Sequence, residues 1–401
     1  MLFTFVGGRG HLDPLVPLAT AARADGHAVL VSGQEGMLGA VRSLGFDAVA
    51  SGTGTLFAER RPMLVPDRER EQRVIRTSFA SRVARERAAD LVAIVETWRP
   101  DVVVCDEVDF GAMVAAERAG IPHVSVVVIA AGAFIDPEQV AEPLQLLRTE
   151  HGLPPDPTMA MLTRHLVLAP VPPSFRDPGH PLPATARSFR PAVLDETGPV
   201  KERSLGRPVV YVTLGTIFNL ESDDLLQRVV EAIRDLPIDV IATVGPHLDP
   251  AELGPQPSNV TVHSFVAQDE VLRRSAAVVC HGGSGTVVGA LAMGLPVVVL
   301  PLGADQLDNA RRCVDLGVGI ALDAMNLPAE DVRRAVRAAL EDGGLRARAE
   351  AIAAEARALP PAADVFDSVV TMVRNGKSPA DGPGSSLRVG VHGLEPWTPS
   401  V

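Results

Sequence analysis

At 401 residues, with 46% hydrophobic, 21% charged and 4% aromatic residues, the chain is too long for one ordinary core and too apolar for the disordered or fibrous classes, so two folded domains are expected. The net charge of -12 comes from interspersed acids and bases, which excludes a general binder of nucleic-acid backbones. A nucleoside diphosphate stays admissible, because one helix N-terminus and a few amides can hold it on an acidic protein.

From the start, short apolar runs alternate with helical patterns. Leu2 to Val6 reads as a strand, Pro14 to Ala24 as a helix and Ala28 to Val31 as a strand before another helix. A long amphipathic stretch from Glu71 to Trp98 follows, then the strand Val102 to Cys105, the helical Gly111 to Ala119 and the apolar His123 to Val128. Continuous apolar strands of this kind predict a parallel sheet covered on both faces. Between Pro137 and Arg190 the text is Pro-rich and predicts loops and short helices without central strands. The polar stretch 196–206 is the expected linker between an N-terminal domain, 1–195, and a C-terminal one, 207–361.

A second alternating series begins at Val209 to Thr213 and continues through Ile238 to Thr243, Ala277 to Cys280, Pro296 to Leu300 and Gly319 to Leu322. The fold class is therefore α/β, with two Rossmann-like halves. Helical patterns run from Ala329 to Val373, and the tail 377–401 has the composition of a disordered segment. Cys105, Cys280 and Cys313 are too widely spaced for a metal or disulfide motif and read as buried thiols. Without a leader pattern or an apolar run of about 20 residues, a cytoplasmic location with no membrane span is expected. Oligomeric state is left open, a homodimer included.

The turn Val6-Gly7-Gly8-Arg9-Gly10-His11 lies between the first strand and helix, where ligands bind at the carboxyl edge of a parallel sheet. His11 reads as a general base or as a capping and packing histidine. Asp106 follows the strand Val102 to Cys105 and so emerges on the same edge, where a carboxylate can orient an imidazole. Glu107 and Asp109 are its rivals, and each of the three is also a candidate helix N-cap.

Cys280-His281-Gly282-Gly283-Ser284-Gly285-Thr286 joins a strand to a helix and has the form of a phosphate loop. Glycines admit an anion to the backbone, Ser284 and Thr286 can donate hydrogen bonds, and the helix dipole favours negative charge. It lacks the Gly-Lys-Thr ending of nucleoside-triphosphate hydrolases. Asp305 and Gln306 suit vicinal hydroxyls, with helix capping as the competing reading of Asp305. Thr213-Leu214-Gly215-Thr216 offers a further cradle of amides and hydroxyls.

With these motifs the chain resembles glycosyltransferase family 1, the GT-B enzymes that include bacterial natural-product glycosyltransferases. The resemblance rests most on the ordered set Ser264-Phe265-Val266-Ala267-Gln268, His281 to Thr286, and Gly303-Ala304-Asp305-Gln306 with Asn309. It implies that His11 deprotonates the acceptor with support from Asp106. Gly215, Thr216, His281, Gly285 and Thr286 would surround the diphosphate of a nucleotide-sugar donor, and Asp305 and Gln306 would hold the sugar. Phe265 would stack on the base beside the backbone of Val266. The resemblance further implies inversion at the anomeric carbon and a last helix, 362–376, that crosses back to the N-terminal domain.

Two departures bear on the donor. Phe265 and Ala267 stand where relatives have Trp and Pro, and Gly289 stands where many uridine-diphosphate users have a glutamate on the ribose, which favours TDP. No Asp-X-Asp motif occurs, so no metal and no cofactor beyond the donor is expected. The apolar stretch from Phe57 to Phe79, with Phe110 and Phe134, is the expected wall for a small hydrophobic acceptor. A nucleotide-sugar epimerase and an inactive auxiliary protein are the alternatives. The acceptor wall disfavours the first, and the joint presence of His11, Asp106 and the phosphate loop disfavours the second.

Overall fold

In a computed structural model, residues 1–54, 59–194 and 206–376 are described. The first half is a seven-stranded, wholly parallel sheet of β1 (Leu2–Thr4), β2 (Leu30–Gly33), β3 (Asp47–Ala50), β4 (Val103–Asp106), β5 (His123–Val126), β6 (Leu166–Ala169) and β7 (Ala186–Ser188). Its order is β3-β2-β1-β4-β5-β6-β7. The second half has six parallel strands, β8 (Val209–Thr213), β9 (Asp239–Thr243), β10 (Val260–His263), β11 (Ala277–Cys280), β12 (Val297–Val299) and β13 (Gly319–Ala321), in the order β10-β9-β8-β11-β12-β13.

The central strands are short runs of Val, Leu, Phe and Cys buried on both faces, which is why they lack the alternation of a half-wet sheet. In each sheet the chain adds strands to one side and then starts on the other. The reversals fall between β1 and β4 and between β8 and β11, and such switch points open a crevice at the strands' carboxyl ends. Thr4 pairs with Cys105, and Thr213 with Cys280. Each register sets two loops side by side: 5–11 against 106–109 in one half, and 214–216 against 281–286 in the other.

The Pro-rich region holds more order than its composition predicts. Pro137–Glu150 is a helix that starts on an Asp136 cap, with Pro143 tolerated inside it, and β6 lies between two other strands of the sheet. The run 166–169 contains no proline, and Pro170 begins only after the strand ends. The strands β3 and β10, which lack a long apolar run, also go beyond the sequence expectation. Arg68 to Trp98 is one helical run whose middle, Ile75–Val83, is π-helical.

The final helix, Ala362–Gly376, packs Val365, Phe366 and Val369 against Phe3, Leu15 and Val104 of the first half. Where the chain comes back, the Arg190 amide donates to Pro360 O at 2.8 Å, and its guanidinium donates to Arg357 O and Leu359 O. Between the halves, Val127, Ala130, Ala131, Val171 and Phe175 join the apolar cluster that contains the helix Ser284–Ala292. All of the expected linker except Gly206, and the tail 377–401, lie outside the described residues.

Candidate functional site

At the first switch point, His11 stands in the short helix Arg9–Leu12. Its Nδ1 lies 3.3 Å from Asp106 Oδ2, inside ion-pair range but without the alignment of a hydrogen bond. Gly7, at φ +100°, leaves the room that the ring uses: a Cβ there would stand 3.1 Å from His11 Cδ2. Asp106 is fully buried and held from both sides, accepting the Val6 amide at 2.7 Å and the Val108 amide at 2.8 Å. Burial lowers the His11 pKa, but the charge and contact of Asp106, joined by Asp305 and Glu107, outweigh it and raise the value above 6.5.

The rivals of Asp106 are otherwise engaged. Asp109 caps the helix Phe110–Arg118 through the Ala112 amide and forms a buried pair with Arg87. Glu107 accepts the amides of Val128 and Ile129 at 2.7 and 2.6 Å, and burial pushes its pKa up to about 7 against the pull of Arg176 and those two amides.

At the second switch point, His281 lies between two glycines. A Cβ on Gly215 would come 2.7 Å from His281 Cε1, and one on Gly283 would come 2.5 Å from His281 Nε2. Burial pushes the His281 pKa down to about 4, partly offset by the Thr213 backbone, so the ring is neutral near pH 7 and offers an N–H rather than a charge. Gly282 takes φ +92°, and its Cβ would meet Val299 Cγ1 at 2.7 Å. The helix Ser284–Ala292 begins here with Gly285 exposed and nothing within 4 Å of its Cβ position, so its first amides open outward. Thr286 and Thr216 are half-buried beside this opening.

Phe265 is 61% exposed at the rim of a cavity of about 340 Å³ whose walls mix Ile241, Val266 and Val271 with His263, Glu270 and Arg274. An aromatic this exposed at the rim of a cavity is the form of a stacking platform. Gln268 opens the next helix and donates to Gly285 O at 3.4 Å. A second cavity, about 110 Å³, lies between the halves with Gly10 and Val128 on one wall and Ser284, Gly285 and Gly289 on the other.

Two expectations, one for the phosphate loop and one for the sugar loop, change in detail. The single hydroxyl proton of Ser284 goes to Asp305 Oδ2 at 2.5 Å, while its oxygen accepts the Ala130 amide at 2.7 Å. It is thus a bridge between the halves rather than a free donor. Gln306 is 1% exposed and its Oε1 accepts the amides of Leu302 and Gly303, which secures the loop bearing Asp305. Among the described residues, no group of three His, Cys, Asp or Glu is placed to hold a metal ion, and no helix is long and apolar enough to cross a membrane.

Residues 227–372 match the family described as erythromycin biosynthesis protein CIII-like, C-terminal domain. The 4'-demethylrebeccamycin synthase of Lentzea aerocolonigenes is 32% identical over 340 residues, 72% of this chain and 78% of that one. The chain belongs to the GT-B natural-product glycosyltransferases. Its fold matches that of the glycosyltransferase SnogD from Streptomyces nogalater, with TM-score 0.72, 27% identity and coverage of 93% of this chain and 99% of that one. The glycosyltransferase VinC, solved in complex with DTDP, matches with TM-score 0.70, 26% identity and coverage of 94% and 100%.

The acceptor wall of this glycosyltransferase differs from the sequence expectation. Phe110 is fully buried and Phe134 is 6% exposed in one apolar cluster of the first half, and Phe79 packs against that same cluster. Phe110 and Phe134 are core residues, Phe110 because its helix, Phe110–Arg118, packs onto the run Arg68 to Trp98, whereas Phe79 is half-buried at the edge of the cluster. Phe57 lies outside the described residues. The sequence reading passed over Arg176, whose Nη1 donates to Ile129 O and Ala130 O, and Arg68, which reaches Asp308 at 3.3 Å across the halves. Arg176 stands in Pro-rich text with no periodic signal.

Proposed function

We propose that this glycosyltransferase transfers a sugar, of the deoxysugar class, from TDP to a hydroxyl of a hydrophobic natural product, with inversion and without a metal ion. The acceptor binds the first domain, residues 1–195, and the donor binds residues 207–361. His11 takes the acceptor proton and Asp106 orients its ring. The acceptor oxygen attacks the anomeric carbon as the bond to the diphosphate breaks. The amides at the start of Ser284–Ala292, with His281, Gly215 and Thr286, receive the leaving charge. Phe265 stacks on the base, Asp305 holds the sugar with Gln306, and Gln306 also secures the loop that bears them both.

The observation that carries this reading is the buried Asp106, whose two backbone hydrogen bonds hold it 3.3 Å from His11 at a switch point. TDP is supported by the DTDP bound to the relative VinC and by Gly289, which offers no carboxylate to a ribose 2′-hydroxyl. The test is a panel of TDP- and UDP-sugars with aromatic and macrolide aglycones, read by mass spectrometry. A product heavier by one sugar, formed best from a TDP donor, is expected; free sugar without any glycoside would refute transfer.

A further inference from the structure

The loop after β5 has its backbone polar groups taken up, one after another, by distant partners. The Val127 amide donates to Leu168 O in β6 at 2.8 Å. Those of Val128 and Ile129 donate to Glu107 Oε1. The next two cross to the donor half: Ala130 N to Ser284 Oγ at 2.7 Å and Ala131 N to Asn309 Oδ1 at 3.2 Å. On the carbonyl side, Arg176 donates to Ile129 O and Ala130 O at 2.9 and 3.3 Å, and Asp177 N donates to Ala131 O at 3.0 Å. Gly132, at φ +86°, leaves no side chain where the Arg176 guanidinium lies; a Cβ there would collide with it.

Ala130 and Ala131 are fully buried, so each amide left unpaired would be costly, and this segment has one well-satisfied position. Its two ends matter. Glu107 follows Asp106 in the chain, so the peptide that orients His11 also holds the loop. At the other end, Ser284 and Asn309 both contact Asp305 Oδ2, at 2.5 and 2.8 Å, which ties the loop to the sugar side of the cleft.

We propose that Glu107 and Arg176 are positioning residues for sugar transfer: they hold residues 128–131 as a strut that sets the distance between the His11–Asp106 pair and the donor half. The proposal rests on the nucleotide-sugar reading above. With the strut in place, the anomeric carbon loses its bond to the diphosphate and gains one to the acceptor oxygen, whose proton goes to His11. With the strut slack, water enters in place of the acceptor and the products are free sugar and TDP.

The test uses the full chain with Glu107→Ala, Arg176→Lys and the conservative Glu107→Gln, whose carbonyl oxygen can still accept both amides. Residue-resolved hydrogen exchange should show Ala130 and Ala131, which neither side chain contacts through its amide, exchanging at least tenfold faster in the first two variants, with Val127 unchanged. Calorimetric TDP affinity should stay within about twofold. With TDP-glucose as probe donor and 4-methylumbelliferone as probe acceptor, the ratio of glycoside to free glucose should fall about tenfold, and Glu107→Gln should restore it. An unchanged ratio in both disruptive variants, or unchanged exchange at Ala130 and Ala131, overturns the proposal. Should Glu107→Ala fail to fold, Arg176→Lys decides alone. Wild-type protein that releases no TDP from any sugar donor would refute the nucleotide-sugar reading instead, and the exchange measurement would still decide the strut.

Discussion

Replacing Asp106 by asparagine changes one oxygen to an amide group and leaves the volume nearly the same, so its consequences can be worked atom by atom. Oδ2 meets the Val6 amide and His11, and Oδ1 meets the Val108 amide. An asparagine has one acceptor oxygen for these two sides. Turned one way, its NH2 faces the Val108 N–H; turned the other, it faces Val6 N–H and His11. Either orientation leaves a buried donor unpaired, at about 1–3 kcal/mol of stability. The second also makes His11 Nδ1 an acceptor and moves the ring proton to Nε2, so no lone pair remains for the acceptor hydroxyl.

The expected fall in kcat is roughly tenfold to a hundredfold, smaller than the ~10²-fold or greater loss expected for His11→Ala, which deletes the base. The pH dependence has a definite sign. The base must be neutral, and the wild-type His11 pKa is raised above 6.5 because Asp106, Asp305 and Glu107 outweigh burial. Wild-type kcat therefore rises with pH along a limb above that value. Without the Asp106 charge, burial gains weight and the limb moves toward acid. Single-turnover rates from pH 5 to 9 would measure both effects. An Asp106→Asn protein with wild-type kcat and an unmoved limb would refute the assignment, as would near wild-type turnover in His11→Ala.

Activity should survive EDTA; loss restored by magnesium or manganese would overturn the metal-free account of the leaving group. TDP should bind more tightly than UDP by no more than roughly tenfold, the worth of about one net hydrogen bond. Gly289→Glu, whose Cβ would meet Leu272 Cδ1 at 3.2 Å with Gln268 beside it, should shift that preference toward UDP, as titration calorimetry would read. Gly283→Ala should weaken TDP binding at least tenfold while a cooperative melt persists, because its methyl would stand 2.5 Å from His281 Nε2; unaltered affinity would remove His281 from the diphosphate site.

The parts legible in the sequence were those with a local signal. His11, Asp106 and His281 to Thr286 each follow an apolar run and sit in or beside a glycine-rich or polar turn, so strand, turn and helix are readable from adjacent residues. The 128–131 strut has no such signal: Glu107 is 21 residues away and Ser284 is 154 residues from Ala130, and its own residues are plain Val, Ile and Ala. Phe110 and Phe134 were misplaced because an aromatic side chain suits a core as well as a cleft, and only the packing of neighbouring helices decides between them. The strand β6 was hidden by the prolines around it, although none falls within it.

The bonds between Arg190 and residues 357–360 bring the returning end of the chain beside the end of the first half. This tie is one of several: the same two halves also meet where the Ala130 and Ala131 amides donate to Ser284 and Asn309 and where Arg312 donates to Phe175 O. Residues before Arg68 add a further tie, since Arg60 pairs with Glu252 and the Met63 amide donates to Asp223, so the second half is gripped by segments far apart in the first.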